Sequence, residues 1–415
     1  MSISIPVFSQ ISKTEVDSLE KKQKTDTIQK IGMDDVITQK DLSDVLRSSF
    51  NALRHSKGNI KVEKTHPLQW SVIPFAGYSL QTRLAVGVGA NAAFFTDSVK
   101  DNQRVSTILT SVNYTQNNQI IVPFQSTIWL RKNTFQYITD FRYLSYPSIS
   151  YGLGDHSLLS DGFLIDFKSL KIHQTLLRKV SNNFMAGGGY YYDSAWDIEE
   201  ANSSTQTSFD DYTNNNIGAP EIASGFVAQL RYDSRRNPIT PNNGWLFDTK
   251  YRVNLTSLGS SASTQTLQVD IRKYIPLSKT RENILAFWLF EWLTLNGKPN
   301  YLFLPSTGWD DSYNTGRGYI QGRYRGFNMH YFETEYRFQI TNNGLIGGTV
   351  FSNAEYFVND THFEKPPYSN NFLHFGYGLG VRVKMNKHSN TNFCVDYGFG
   401  ANGSKGFFVN IGEVF

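Results

Sequence analysis

The sequence predicts an all-β protein: an antiparallel transmembrane β-barrel of about sixteen strands, preceded by a short periplasmic segment with one helix. Three observations carry this reading. From about Trp70 to Phe415, apolar and polar residues alternate with a period of two, strand after strand. In the run Leu373, Phe375, Tyr377, Leu379, Val381, Val383 every side chain is apolar, while His374, Gly376, Gly378, Gly380, Arg382 and Lys384 lie between them. A greasy face opposite a charged one, repeated many times in one domain, puts lipid outside and water inside. The third observation is aromatic content: 30 Phe, 23 Tyr and 7 Trp are enough to furnish girdles at two membrane interfaces.

Composition excludes other classes. The chain has 415 residues, 40% of them hydrophobic, and a mean hydropathy of −0.38. No apolar run approaches the roughly 18 residues of a membrane helix. A net charge of +4 is small for this length and argues against a nucleic-acid partner. The single cysteine, Cys394, can form neither an internal disulfide nor a cysteine metal cluster, and it reads as a small lumen residue beside Asp396.

Taken in order, residues 1–10 hold Ile3, Ile5, Val7 and Phe8 before Ser9, which reads as the tail of a secretory signal; an apolar leader strand of the mature chain is the alternative. Residues 11–66 form a polar periplasmic segment. Within it Ile37, Leu42, Leu46, Phe50 and Leu53 fall at helical spacing behind Asp34 and Asp35, predicting one short amphipathic helix. The periplasm, the lumen and a partner surface are all open to that helix. Residues 67–415 form the barrel.

Within the barrel the alternation predicts strands at 69–78, 82–95, 103–114, 120–131, 135–146, 162–178, 182–194 and 221–233. It continues at 245–257, 264–275, 283–295, 328–340, 344–358, 372–384, 390–399 and 406–415. Connections near 132–134, 179–181, 234–244, 276–282, 341–343 and 385–389 are short, and those near 147–161, 195–220, 296–327 and 359–371 are long. Long connections belong outside the cell, so both termini face the periplasm.

The inner face is charged with mixed signs. Asp248, Lys250 and Arg252 share a face, as do Asp270 and Arg272, then Glu333, Glu335 and Arg337, and Asn353 with Glu355. Such a wall suits either a selective pore or a segment anchored inside the barrel. Glycines at 87 and 89, 187 to 189, and 376, 378 and 380 fall on strands, where a missing side chain marks close approach by other backbone. No Lys-Ser or Lys-Thr pair follows them, so they make no phosphate cradle.

Enzyme chemistry finds little support. The 8 histidines show no His-Glu-x-x-His spacing, and Asp155-His156-Ser157 are sequence neighbours that cannot form a relay. Asp310 and Asp311 beside Trp309 read as a solvated loop or a weak cation site. The expectation is a non-enzyme with no cofactor and no metal.

Specific motifs narrow the reading. Gly316-Arg317-Gly318-Tyr319, followed by Gly322-Arg323-Tyr324-Arg325-Gly326, resembles the Arg-Gly-Phe/Tyr loop of the BamA/TamA family of outer-membrane barrels, the bacterial surface antigens. Tyr232-Asp233-Ser234-Arg235-Arg236-Asn237-Pro238, continued by Pro241-Asn242-Asn243-Gly244-Trp245, is similar to the family's Asp-x-Arg-x-Asn-Pro…Pro…Gly turn. The ending Asn410-Ile411-Gly412-Glu413-Val414-Phe415 is similar to its closing strand. The resemblance covers roughly 220–415, and the strand count extends it back to about 69.

The resemblance implies that the 296–327 loop folds into the lumen and that Arg317 pairs with acids on the inner wall. Glu335 matches the acidic position on one facing strand. On the next, where the family has Asp followed by Gly two residues on, this chain has Asn353 and Glu355, which become candidate partners. Stabilisation of the loop and a direct functional role both remain open for that pairing. Phe407, Val409, Ile411 and Phe415 resemble the terminal signal by which assembly machinery recognises its clients, with Glu413 interrupting the row. Family members that insert barrels or secrete proteins carry periplasmic POTRA modules; the region before the first strand has too little apolar patterning for one. The implied protein is a POTRA-less barrel with a seam between Gln69–Tyr78 and Gly406–Phe415. It would act in outer-membrane protein assembly or translocation, embedded in outer-membrane lipid and working with periplasmic or outer-membrane proteins and clients. The alternative is a passive pore or structural barrel without insertase activity, since fold alone does not fix function.

Overall fold

A computed structural model describes residues 40–41, 68–96, 104–154, 157–201, 220–278, 281–358, 372–387 and 390–415. Its strands are β1 (Leu68–Ser79), β2 (Arg83–Phe94), β3 (Ser106–Thr115), β4 (Ile120–Leu130), β5 (Phe135–Ser145), β6 (Ser148–Ser150), β7 (Phe163–Lys179), β8 (Phe184–Ala201) and β9 (Glu221–Asp233). They continue as β10 (Gly244–Asn254), β11 (Thr264–Pro276), β12 (Ile284–Asn296), β13 (Asn328–Gln339), β14 (Ile346–Val358), β15 (Leu373–Asn386), β16 (Thr391–Phe399) and β17 (Lys405–Ile411). β5 and β6 both pair with β7, through Ser145 opposite Lys168 and Ser148 opposite Ile165, so they make one interrupted stave. With that stave counted once, the sheet is a closed antiparallel barrel of 16 staves. Closure satisfies the backbone groups that lipid cannot.

The period-two pattern sets the faces. On β15, Phe375, Tyr377 and Leu379 stand exposed on the outside while His374, Arg382 and Lys384 are buried inward. Most predicted strands lie close to the observed ones, but β8 runs to Ala201 where 194 was expected, β6 falls inside the predicted 147–161 connection, and the last strand ends at Ile411 rather than running to Phe415. Gly412 has φ +84, a left-handed conformation that turns the chain off the barrel wall.

The lumen is packed. One buried cluster joins Tyr146, Ile165 and Phe167 of the wall to Tyr301, Leu304 and Phe327, and a second joins Trp288 and Phe357 to Tyr319 and Tyr324. The wall partners of both clusters are residues of the connection 297–327 between β12 and β13, so this loop fills part of the barrel.

The helix predicted around 37–53 lies outside the described residues except for Lys40 and Asp41, which carry no regular secondary structure. Lys40 N donates to Asn343 O at 2.9 Å, and Asp41 Oδ2 accepts from Lys387 N at 3.0 Å. Lys40 and Asp41 therefore touch the turns that follow β13 and β15.

Candidate functional site

The loop lies against the β14–β16 wall because glycines on both sides make room. Gly316 and Gly318 have φ of +77 and +109, which a larger residue would resist. On the facing strands, a Cβ on Gly376 would sit 2.7 Å from Arg317 O, and one on Gly398 would sit 2.7 Å from Gly318 N. Asn353 Nδ2 then donates to Arg317 O at 2.9 Å, and Ser404 Oγ donates to Gly318 O at 2.8 Å. Tyr319 adds a further tie. Its hydroxyl donates to Phe375 O at 2.6 Å and accepts from Ala401 N at 2.9 Å.

This backbone placement aims the Arg317 guanidinium into a cluster of acids. Its Nη2 bonds Glu333 and Glu335, its Nη1 donates to Asp396 Oδ2 at 2.8 Å, and the group lies 3.7 Å over the Phe351 ring. Arg317 is 1% exposed. Two wall arginines complete the cluster: Arg382 bonds Asp396 and donates from Nε to Glu413 Oε2 at 2.8 Å, and Arg337 bonds Glu335. Carboxylates this deep would be costly if left alone, and removing one partner of such a cluster leaves an uncompensated buried charge.

The chain end joins the same cluster. Glu413 also accepts from Asn392 Nδ2 at 2.8 Å, Arg337 Nη2 donates to Phe415 O at 2.8 Å, and Asn314 Nδ2 of the loop donates to Val414 O at 2.7 Å. Glu413 N donates to Ile239 O at 3.0 Å, within the turn between β9 and β10. That turn is shaped by its own motif. Asp233 accepts from Arg235 Nη2 at 2.9 Å, and Asn237 Oδ1 accepts from Ile239 N at 2.8 Å. The three motifs separated in sequence thus meet in space: the loop, the turn and the chain end.

Several expectations need correction. Glu355 does not pair with Arg317; its Oε2 accepts from Thr307 Oγ1 at 3.0 Å, bracing a different part of the loop. Asn353 holds the Arg317 carbonyl rather than its guanidinium. Glu335 is a direct partner, but Glu333 and Asp396 are partners too, and sequence reasoning passed over them. The signal for Glu333 was there, since it shares an inward face with Glu335. Asp396 sits on a strand remote in sequence, and only the closed barrel brings it near.

The chain end also departs from expectation. Phe407 is exposed on the outer face, but Phe415 is 2% exposed and lies inside, and Val409 and Ile411 are half-buried. The four do not share one outward row, because Gly412 reverses the chain before Phe415. Glu413 faces the lumen cluster rather than an interface.

Other candidates also resolve. Arg323 is buried, with its Nη1 donating to Ser157 Oγ at 2.8 Å, which ties the loop to the connection after β6. Asp155 and His156 lie outside the described residues. Asp310 and Asp311 differ: the first is buried, and the second keeps a side chain 42% exposed. Asp310 is buried and accepts from Asn314 N at 2.9 Å and Thr315 N at 2.8 Å, while Asp311 bonds Lys250 of the wall.

One further feature concerns closure. β1 pairs with β2 along its whole length, from Leu68 opposite Phe94 to Ser79 opposite Arg83. Its pairing with β17 is recorded at one position, Ser79 opposite Phe408. Among the described residues no further register pair joins the two strands, and β17 ends at Ile411, short of the start of β1.

Fold and loop define the class: an antiparallel transmembrane β-barrel with an Arg-Gly-Tyr loop tied inside its lumen. Among solved structures the chain is similar to BamA from Haemophilus ducreyi lacking POTRA domains 1–3, with a TM-score of 0.55 and 12% identity over 84% of this chain and 71% of that one. It is similar to CdiB from Escherichia coli, at 0.55 and 9% over 89% and 70%, and to CdiB from Acinetobacter baumannii, at 0.51 and 12% over 83% and 60%. No family model and no curated protein matches the sequence, so the likeness is one of fold.

Proposed function

We propose that this chain is an outer-membrane barrel that takes part in the assembly or translocation of outer-membrane proteins, alongside protein partners. The observation that carries the reading is the seam. A strand edge bearing unpaired N–H and C=O groups is costly in lipid and is a template for another strand. Among the described residues β1 shares only one register pair with β17, and an extended client segment could add to the remainder of its edge by main-chain hydrogen bonding. The likeness in fold to BamA and CdiB supports the same reading. In this orientation the short connections and both ends of the barrel face the periplasm, where unfolded clients arrive.

The arginine cluster serves the seam by fixing its C-terminal side. Loop, β13, β15, β16 and chain end are bonded into one unit, so motion at the seam falls to β1 and its neighbours.

Site-specific photo-crosslinking tests the proposal. Val72 is 55% exposed at the seam and Val381 is 46% exposed on β15, away from it. A photoreactive residue at 72 is expected to capture newly made outer-membrane proteins, and one at 381 is not. Equal capture at the two positions, or none at 72, would overturn the reading and favour a passive barrel.

A further inference from the structure

The loop fills only part of the lumen, and along the β3–β11 wall it leaves space lined by charged and apolar side chains together. Two cavities of about 110 and 280 Å³ lie there. The first is bounded by Asn300, Leu302 and Phe303 of the loop and reaches Thr264 and Asn254, at the wall ends that carry longer connections. The second reaches Thr107 at the start of β3 and Thr127 on β4, toward the opposite end of the barrel. They meet at Arg142, His173, Tyr191, Lys250 and Asp311, which line both.

Charge along this route is unbalanced. Arg142, Lys171, Arg231, Lys250 and Arg252 line it, against Asp140, Asp193 and Asp311. The carboxylates are engaged already. Arg142 holds Asp140 at 2.6 Å, Arg252 holds Asp193 at 2.5 Å, and Lys250 holds Asp311. Arg231 is bonded to Asp248, behind the route, at 2.5 Å. Among the described residues, Lys171 is the cation left over. In addition, Nη1 of Arg142 is buried with no hydrogen-bond partner among the described residues. At the junction, Arg142 Nη2 donates to Asp311 O at 2.7 Å, so loop and wall cross the route at the Asp311–Lys250 pair.

We propose that small inorganic anions permeate the barrel along this wall, with the Asp311–Lys250 pair as the constriction and Lys171 as the residue that sets the sign of selectivity. A surplus cation in a narrow passage favours anions and disfavours cations. The route is separate from the seam, so its failure would leave the assembly reading standing.

The test is planar-bilayer recording of the full-length protein under a potassium chloride gradient, with folding of every variant checked by heat-shifted gel mobility. The expected reversal potential shows chloride favoured over potassium. Lys171→Glu is expected to lower the chloride-to-potassium permeability ratio by roughly twofold or more, with Lys171→Gln between the two. Asp311→Asn is expected to raise both conductance and chloride preference. Potassium preference in the native protein, an unchanged ratio in both Lys171 variants, or a folded and inserted Asp311→Asn barrel that passes no current would each overturn the proposal.

Discussion

The ring of Phe415 stacks on the indole of Trp288, with centroids 5.3 Å apart and planes 28° from parallel, inside the barrel rather than on its lipid face. Tyr274 borders the same ring at 6.2 Å. The end of the chain is thus a packed element of the lumen, set against β11 and β12 and bonded to the loop.

Phe415→Ala is expected to weaken the barrel through lost packing. Truncating a buried aromatic costs about 3–5 kcal/mol in soluble cores. The barrel should lose its compact gel mobility at a lower temperature than the native protein. An unchanged transition would show that the ring does not pack on Trp288.

Glu413→Leu is expected to be harmful, although on the sequence alone it reads as an improvement to an apolar row. Glu413 is bound by Arg382 and lies 3.6 Å from Arg337, so an apolar replacement leaves buried guanidinium charge with one carboxylate fewer. Breaking a buried pair from one side costs about 3–5 kcal/mol. Thermal unfolding of Glu413→Leu beside Glu413→Gln checks this, with the leucine variant expected to be the less stable. Equal or higher stability of the leucine variant would count against the cluster.

Arg317→Ala is expected to free the loop. Among the described residues it removes the one cation that bonds all three of Glu333, Glu335 and Asp396. The loss is again about 3–5 kcal/mol by the same reasoning, partly recovered in Arg317→Lys, whose point charge cannot reach all three acids. Protease added to intact cells should cut the 297–327 loop faster in the alanine variant. Unchanged cleavage would mean that the loop is held by other contacts.

Much of this barrel was legible in the sequence because period two is a local signal that needs no knowledge of neighbours. Strands such as 221–233 and 264–275 match the observed ends within a residue for that reason. The loop motif likewise announced that Arg317 would seek acids. What stayed hidden depended on distance in sequence. Asp396 reaches Arg317 only because closure brings β16 beside the loop, and Glu355 faces inward at a height where it meets Thr307 instead. The end of the chain misled because its apolar residues continue the alternation in letters, while the left-handed turn at Gly412 breaks it in space. Local pattern cannot report a single backbone reversal that the lumen contacts stabilise.

If clients add to β1 along its whole edge, the seam between β1 and β17 must part at Ser79 to admit them. Ser79 and Phe408 face each other across it, and Cys394, the only native cysteine, is buried. The most direct measurement is outer-membrane protein assembly in cells carrying Ser79→Cys with Phe408→Cys, followed under oxidising conditions and again after reductant. The account predicts that the disulfide stops assembly and that reduction restores it. Assembly at the native rate with the seam quantitatively locked would contradict it.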